Sequence, residues 1–235
     1  AAYFLALMGH RVVVYEKKEQ LGGMLRYGIP NYRFPKNRLD EDIRAILSAG
    51  DIQVRCNTAI GRDLPMQMLQ TTYDACYLAI GAQTGKRLEL EGADAEGVVP
   101  AVALLDRIGH GILPDYTGKR VVVIGGGNVA MDCARSAVRC NASQVQIVYR
   151  RRKDDMTALA SEVESAAEEG VGLQTLMAPM RIEKNAAGHC TALWVQPQRI
   201  GPFDRAGRPR PIDADKPPVR IACDVVLIAV GQEVE

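Results

Sequence analysis

Apolar positions recur along the chain in two rhythms that alternate. Runs that are apolar or rich in β-branched residues occupy positions 11–15, 52–55, 75–80, 120–124, 144–149 and 224–230. Several are apolar over four or more consecutive positions, the signature of strands buried on both faces. The run at 75–80 in particular predicts a buried strand, ended by Gly81. Between the runs, apolar residues three and four apart predict helices. Leu39, Ile43, Ile46 and Leu47 share one face of a helix over 39–49, and further helices are expected over 1–9, 63–69, 128–140 and 158–169. The acidic side of the 158–169 helix reads as a solvated face. The glycine-rich stretch 21–30, with Pro30 and Pro35, predicts irregular backbone. Positions 172–198 suggest a meander of two or three strands, and the Pro-, Arg- and Asp-rich 200–218 an exposed loop or hairpin tip.

Strand–helix alternation of this kind implies α/β units built on parallel sheets covered on both faces. The pattern restarts at position 120 after a Gly-, Pro- and Asp-containing stretch at 109–118, the best candidate linker. Two domains are therefore expected, 1–110 and 111–235. The opening helix has no N-cap and no initiating Met, which suggests a chain that starts inside an element.

Composition changes this picture little. A net charge of +1 over 235 residues supplies no global field toward nucleic acid or acidic membranes. No apolar run is long enough to span a bilayer, and no secretory signal is evident. The six cysteines form no C-x-x-C pair and match no zinc spacing, so reduced structural thiols, no metal site and a cytoplasmic setting are expected. His10, His110 and His189 share no motif and read as turn or surface residues, Met131 and Met156 as packing, and Trp194 as core or interface.

The strongest chemical signal is Gly125-Gly126-Gly127-Asn128-Val129-Ala130, placed between an apolar strand and a helix. That is the context a dinucleotide fingerprint requires. Gly125 permits the tight turn, Gly127 lets backbone approach a pyrophosphate, and Ala130 allows close helix–strand packing. The helix start then offers free N–H groups to phosphate. At the end of the next strand, where an NAD site carries a carboxylate, stand Arg150, Arg151, Arg152 and Lys153. Guanidiniums there fit a 2′-phosphate and favour NADP(H) over NAD(H); the alternative is a solvated basic turn. The first strand ends in Glu16, the acidic residue expected of a second dinucleotide fold. Asp132, one turn beyond Asn128, either faces the active centre or caps its helix.

Several motifs in order carry a resemblance: Glu16-Lys17, Leu21-Gly22-Gly23-Met24-Leu25, Tyr27-Gly28-Ile29-Pro30, Arg33-Phe34-Pro35-Lys36, 74–82, Gly125 to Asp132, Tyr149-Arg150-Arg151, and Ala229-Val230-Gly231-Gln232. Together they resemble the small (β) subunit of NADPH-dependent glutamate synthase and its relatives over essentially the whole chain. The resemblance implies two Rossmann-like dinucleotide-binding domains, an NADPH domain inserted in an FAD domain that is incomplete here. It implies that Glu16 and Lys17 lie at the FAD ribose, with Gly22, Gly23, Leu25, Ile29 and Pro30 on the flavin side. Ile60 would lie near the adenine, and Ala79, Ile80 and Gly81 would close over FAD. Gly125, Gly126, Gly127, Asn128 and Val129 would meet the NADPH pyrophosphate, Arg150 and Arg151 its 2′-phosphate, and Gly231 would complete the site. The family's first glycine fingerprint, its closing FAD segment and its cysteine-rich iron–sulfur region are not among these residues.

The implied activity is that of an NAD(P)H-dependent FAD oxidoreductase, passing hydride from NADPH to FAD and electrons on to iron–sulfur centres in a missing region or a partner subunit. No catalytic side chain is demanded, because the cofactors carry the chemistry. The absence of C-x-x-C argues against the thioredoxin-reductase type of disulfide chemistry. Two alternatives stay open: a nucleotide-binding module without turnover in isolation, and an NADH-dependent relative.

Overall fold

The computed structural model describes residues 1–204 and 207–234. The chain folds as two compact units, Ala1–Gly81 and Ala82–Glu235.

The first unit contains α1 (Ala2–Leu7), β1 (Val12–Tyr15), α2 (Gly23–Tyr27), α3 (Lys36–Leu47), β2 (Ile52–Arg55) and α4 (Met66–Thr72). β1 and β2 pair in parallel, Val12 opposite Ile52 through Tyr15 opposite Arg55. The stretch expected to be irregular at 21–30 holds the short helix α2. Gly22 makes that possible: its φ is +125°, and a Cβ there would lie 2.8 Å from Leu39 Cδ2. Lys36, the first residue of α3, ties the following turn together. Its ammonium donates to the carbonyls of Leu25 at 2.7 Å, Ile29 at 2.6 Å and Phe34 at 3.1 Å.

The expected buried strand at 75–80 is not formed. Those residues have no regular structure, and Tyr77, Leu78 and Ile80 are 73%, 67% and 62% exposed. An apolar run becomes a buried strand only beside a strand that accepts its ladder. In this unit β1 and β2 bond to each other, and neither bonds to 75–80.

The second unit begins with β3 (Thr84–Gly85), β4 (Val98–Pro100), α5 (Ala101–Gly109), β5 (Arg120–Ile124), α6 (Asn128–Arg139) and β6 (Gln144–Tyr149). A single 3-10 turn, Lys153–Asp155, leads to α7 (Ala160–Glu168), β7 (Gly172–Thr175), β8 (Met177–Lys184) and β9 (Cys190–Phe203). β10 (Pro209–Asp213), β11 (Val219–Ala222), β12 (Val225–Ile228) and β13 (Gln232–Glu233) complete it. Five strands form an all-parallel sheet in the order β4-β12-β5-β6-β7. Because β4 pairs with β12, residues 82–110 belong to the second compact unit.

Alternation along β5 shows why its run is apolar throughout. Val121 and Val123 join a core with Ala130, Met131 and Ala134 of α6, while Val122 and Ile124 join another with Leu193 and Val195 of β9. One face of the sheet is thus covered by helices and the other by the antiparallel strands β8, β9 and β11. Both layers exclude water, which is what a parallel sheet requires. β7, expected in the meander, instead forms the sheet edge beside β6. Of the two forms expected for 200–218, a loop or a hairpin, part of the stretch takes the hairpin form, β10 pairing with the long end of β9. Positions 205–206 of that stretch lie outside the described residues. Arg120 clamps β5 to the start of β12, with Nη2 2.8 Å from Asp224 Oδ1 and both Nε and the backbone N–H on Oδ2.

Candidate functional site

The glycine loop stands at the C-terminal end of β5. Gly125 has φ +151°, and a Cβ on it would strike the carbonyl oxygen of Ala229. The Ala229-Val230-Gly231 segment after β12 is therefore brought against the loop, while Lys86 N–H donates to Gly231 O at 3.0 Å. A Cβ on Gly126 would sit 2.5 Å from Tyr149 Cε2, so the loop passes directly over that ring. Gly127 is the N-cap of α6. Ala130 N–H returns to Gly127 O at 2.9 Å, and Ala130 is fully buried, as close helix–strand packing requires. Among the described residues no hydrogen bond is made by the N–H groups of Asn128 and Val129 in the first helical turn. Unmet N–H groups on a 12-residue helix fit a phosphate.

The segment after β6 folds back over this loop. Thr157 and Ala158 N–H donate to Gly126 O at 3.0 and 3.1 Å, and Asn128 Oδ1 accepts from Leu159 N–H at 2.9 Å. Thr157 Oγ1 lies 3.3 Å from where a Cβ on Gly127 would be. Thr157 was not singled out from the sequence; it belongs to no motif, and only the fold-back brings it to the glycines. The three arginines behave differently. Arg150 is exposed, and among the described residues it has no ion-pair partner. Arg151 is largely buried, its Nη2 3.6 Å from Asp204 Oδ2. Arg152 is locked bidentately on Asp155, Nε and Nη2 each 2.8 Å from a carboxylate oxygen. That guanidinium holds the Asp155 carboxyl below its ordinary range.

In the first unit Glu16 follows β1, its N–H on Arg55 O and its Oε1 accepting from Lys18 N–H at 2.9 Å. Thr58 N–H donates to Glu16 O and Asn57 N–H to Lys18 O, so the segment carrying Ile60 is drawn toward Glu16 and Lys17. Gly22, Gly23 and Leu25 belong to α2 and its entry, and Lys36 holds Leu25 and Ile29 to one cage. Pro30 is buried. Leu25 and Ile60 are 48% and 40% exposed, leaving apolar surface open to a ligand. No hydrogen bond among the described residues joins Ala79, Ile80 or Gly81 to these groups.

The whole chain, residues 1–235, matches the sequence family described as pyridine nucleotide-disulphide oxidoreductase. The chain belongs to that family. Its relatives include the NADP(+)-dependent formate dehydrogenase subunit beta of Moorella thermoacetica, 38% identical over 99% of this chain and 33% of that protein. The glutamate synthase [NADPH] small chain of Escherichia coli K12 is 34% identical over 95% of this chain and 49% of that protein. The chain thus spans between about a third and a half of the length of these relatives. Among solved structures, FprA of Mycobacterium tuberculosis in complex with NADPH superposes with a TM-score of 0.85 at 18% identity, over 98% of this chain and 68% of that one. A thioredoxin reductase from T. acidophilum matches with a TM-score of 0.59 at 15% identity, over 98% of this chain and 72% of that one. The fold is therefore that of the pyridine nucleotide-disulphide oxidoreductases.

Other residues singled out by type take structural places in this family member. His189 faces Glu96, Nδ1 to Oε2 3.1 Å, on the surface. Trp194 lies on the outer side of the meander, with Nε1 2.8 Å from Glu183 Oε2 and the Arg181 guanidinium 4.7 Å from its ring. Arg220, then Trp194, hold the Glu183 carboxyl down to about 2. Asp132 and Met131 are buried within α6. All six cysteines are free thiols, and burial pushes the Cys133 thiol up, as for an unreactive packing group. Among the described residues no helix is long and apolar enough to cross a membrane.

Proposed function

We propose that the protein this chain represents is a cytoplasmic flavoprotein oxidoreductase of the glutamate synthase small-subunit type, taking reducing equivalents from NADPH through FAD to iron–sulfur centres or a catalytic partner subunit. The observation that carries the reading is the strand–glycine loop–helix at Gly125 to Val129 beside a strand that ends in arginines instead of a carboxylate. Relatives bearing the names of NADPH-linked subunits support the cofactor and the partner.

In this reading residues 111–235, together with β4 and α5, form the NADPH domain, and the first unit is part of the FAD domain. Gly125, Gly126 and Gly127 keep side chains away from the pyrophosphate, and the Asn128 and Val129 N–H groups donate to it. The Asn128 side chain is spent on Leu159, so its part is to hold the fold-back segment in place. Arg150 and Arg151 receive the 2′-phosphate, and Gly231 leaves room beside the loop. Glu16, beside Lys17, accepts from the FAD ribose. Gly22, Gly23, Leu25, Ile29 and Pro30 form the flavin-side wall, with Ile60 at the adenine and Ala79, Ile80 and Gly81 closing over the cofactor. Once bound, nicotinamide and flavin together supply hydride-transfer chemistry.

The test is to add FAD and NADPH to the purified chain without oxygen. Bleaching of bound flavin is expected, with Arg150→Ala weakening NADPH and leaving NADH unchanged. A preference for NADH that ignores Arg150→Ala would sink the NADP assignment. One observation favours a second reading, a nucleotide-binding module without turnover in isolation. The first unit has a two-stranded sheet and an exposed apolar 75–80 run. NADPH binding with no flavin retained would select it.

A further inference from the structure

The β9–β10 hairpin has no part in the nucleotide site proposed so far, yet it brings charge to it. Arg199 of β9 and Arg210 of β10 line one crevice with Arg151, Arg152 and Asp155. Four guanidiniums thus share the crevice with one carboxylate, and Arg152 already occupies both oxygens of Asp155. Asp204, the residue after β9, engages Arg151 only loosely. Its Oδ1 accepts from Arg208 N–H at 3.0 Å, and its Oδ2 stands 3.6 Å from Arg151 Nη2, beyond hydrogen-bond range. Arg151 Nε is buried without an acceptor among the described residues. Among those residues neither Arg199 nor Arg210 has an ion-pair partner. Cations gathered with a buried N–H unmet are unfavourable unless an anion joins them.

The backbone is built to aim Arg210. The pairing of β10 with β9 shifts register between Pro209 and Pro211, so Arg210, between two prolines, is the single residue opposite Gly201 and Pro202 of a bulge in β9. Bulges re-aim side chains beside sites, and proline on either side limits the backbone's other choices. The crevice also connects to the glycine loop. Tyr149, whose ring lies under Gly126, donates its hydroxyl to Asp155 O at 2.8 Å, and Asp155 holds Arg152 in the crevice wall.

We propose that the β9–β10 hairpin forms the outer wall of a phosphomonoester site, with Arg199 and Arg210 closing on the 2′-phosphate of NADPH opposite Arg151. This rests on the NADPH reading and adds the residues that set the preference for NADPH over NADH. Both arginines are exposed, so their guanidinium ends are free to part and re-close around a phosphate. Planar forks suit its oxygens, which accept paired N–H bonds.

Calorimetric titration of the full chain tests the proposal with NADPH, NADH, adenosine 2′,5′-bisphosphate, 5′-AMP and inorganic phosphate. The R199A/R210A variant is expected to weaken NADPH and the bisphosphate by about tenfold to a hundredfold, leaving NADH and 5′-AMP unchanged. The singly substituted R199Q and R210Q, which keep the hairpin's bulk, are expected to show smaller losses with the same selectivity. Unchanged NADPH affinity in R199A/R210A, with affinity lost in R150A, would overturn the hairpin's role and keep the NADPH reading. Equal binding of the bisphosphate and 5′-AMP by the unsubstituted chain would overturn both. Loss of inorganic phosphate alone, with the bisphosphate unaffected, would also overturn the proposal by making the crevice a free-phosphate site.

Discussion

β1 and β5 are written in nearly the same letters, Val-Val-Val-Tyr and Val-Val-Val-Ile, yet they meet different fates. Every residue of β1 is half-buried, while Val121 to Ile124 are all buried. β5 has a strand on each side and a layer on each face; among the described residues β1 has β2 alone. Burial is a property of the neighbours a strand acquires, and β-branched composition only makes a strand ready for it. The run at 75–80 is the extreme case, with strand composition and no ladder.

The contrast is broken or sharpened most by deleting side chains. Leu227→Ala, at a fully buried position of β12, is expected to cost about 2–5 kcal/mol. Leu78→Ala, 67% exposed, should stay within about 0.5 kcal/mol. Urea unfolding compares them, and equal costs would end the distinction. Gly126→Ala comes next, because its Cβ would press on a Tyr149 ring whose hydroxyl is tethered to Asp155 O. A loss of about 1–3 kcal/mol is expected, seen as a lower melting temperature together with lost nucleotide binding.

Lys36→Met probes the first unit. It removes the ammonium from three carbonyls and should cost about 1–2 kcal/mol, with faster hydrogen exchange over 25–36. Unchanged exchange would show that the turn holds without its cage. The smallest effect concerns acid. Hydrogen bonding to Arg120 holds the Asp224 carboxyl at about 2, below the ordinary value of about 3.9. A carboxyl depressed in the folded state stabilises above its unfolded pKa, and that contribution is lost as pH falls from about 4 to about 2. The stability gap between the parent and Asp224→Asn should therefore narrow over that window; a gap independent of pH would remove the clamp from the account.

Much of the second unit was legible beforehand. β5, α6, β6, α7 and β12 lie where apolar rhythm and glycines put them, because each element's pattern matches the layers it meets. The misses share a cause. The strand at 75–80 and the β7 edge both depend on which distant strand pairs with which, and periodicity carries no record of partners. At the candidate site, Gly125 to Ala130 and the arginines were evident as a motif. Thr157 and the unequal roles of Arg150, Arg151 and Arg152 were not, since they follow from a fold-back and from acids at Asp155 and Asp204.

By itself the sequence determined the rhythm of strands and helices, the glycine loop at the end of β5 and the basic end of β6. These are local matters, decided by steric freedom at glycine and by which side chains alternate. The tertiary structure alone decided that the sheet is covered by helices on one face and by a β meander on the other. It alone brought Arg199 and Arg210, remote in sequence, to the crevice of Arg151. Charge meets charge there through strand pairing, and pairing is a property of the folded chain.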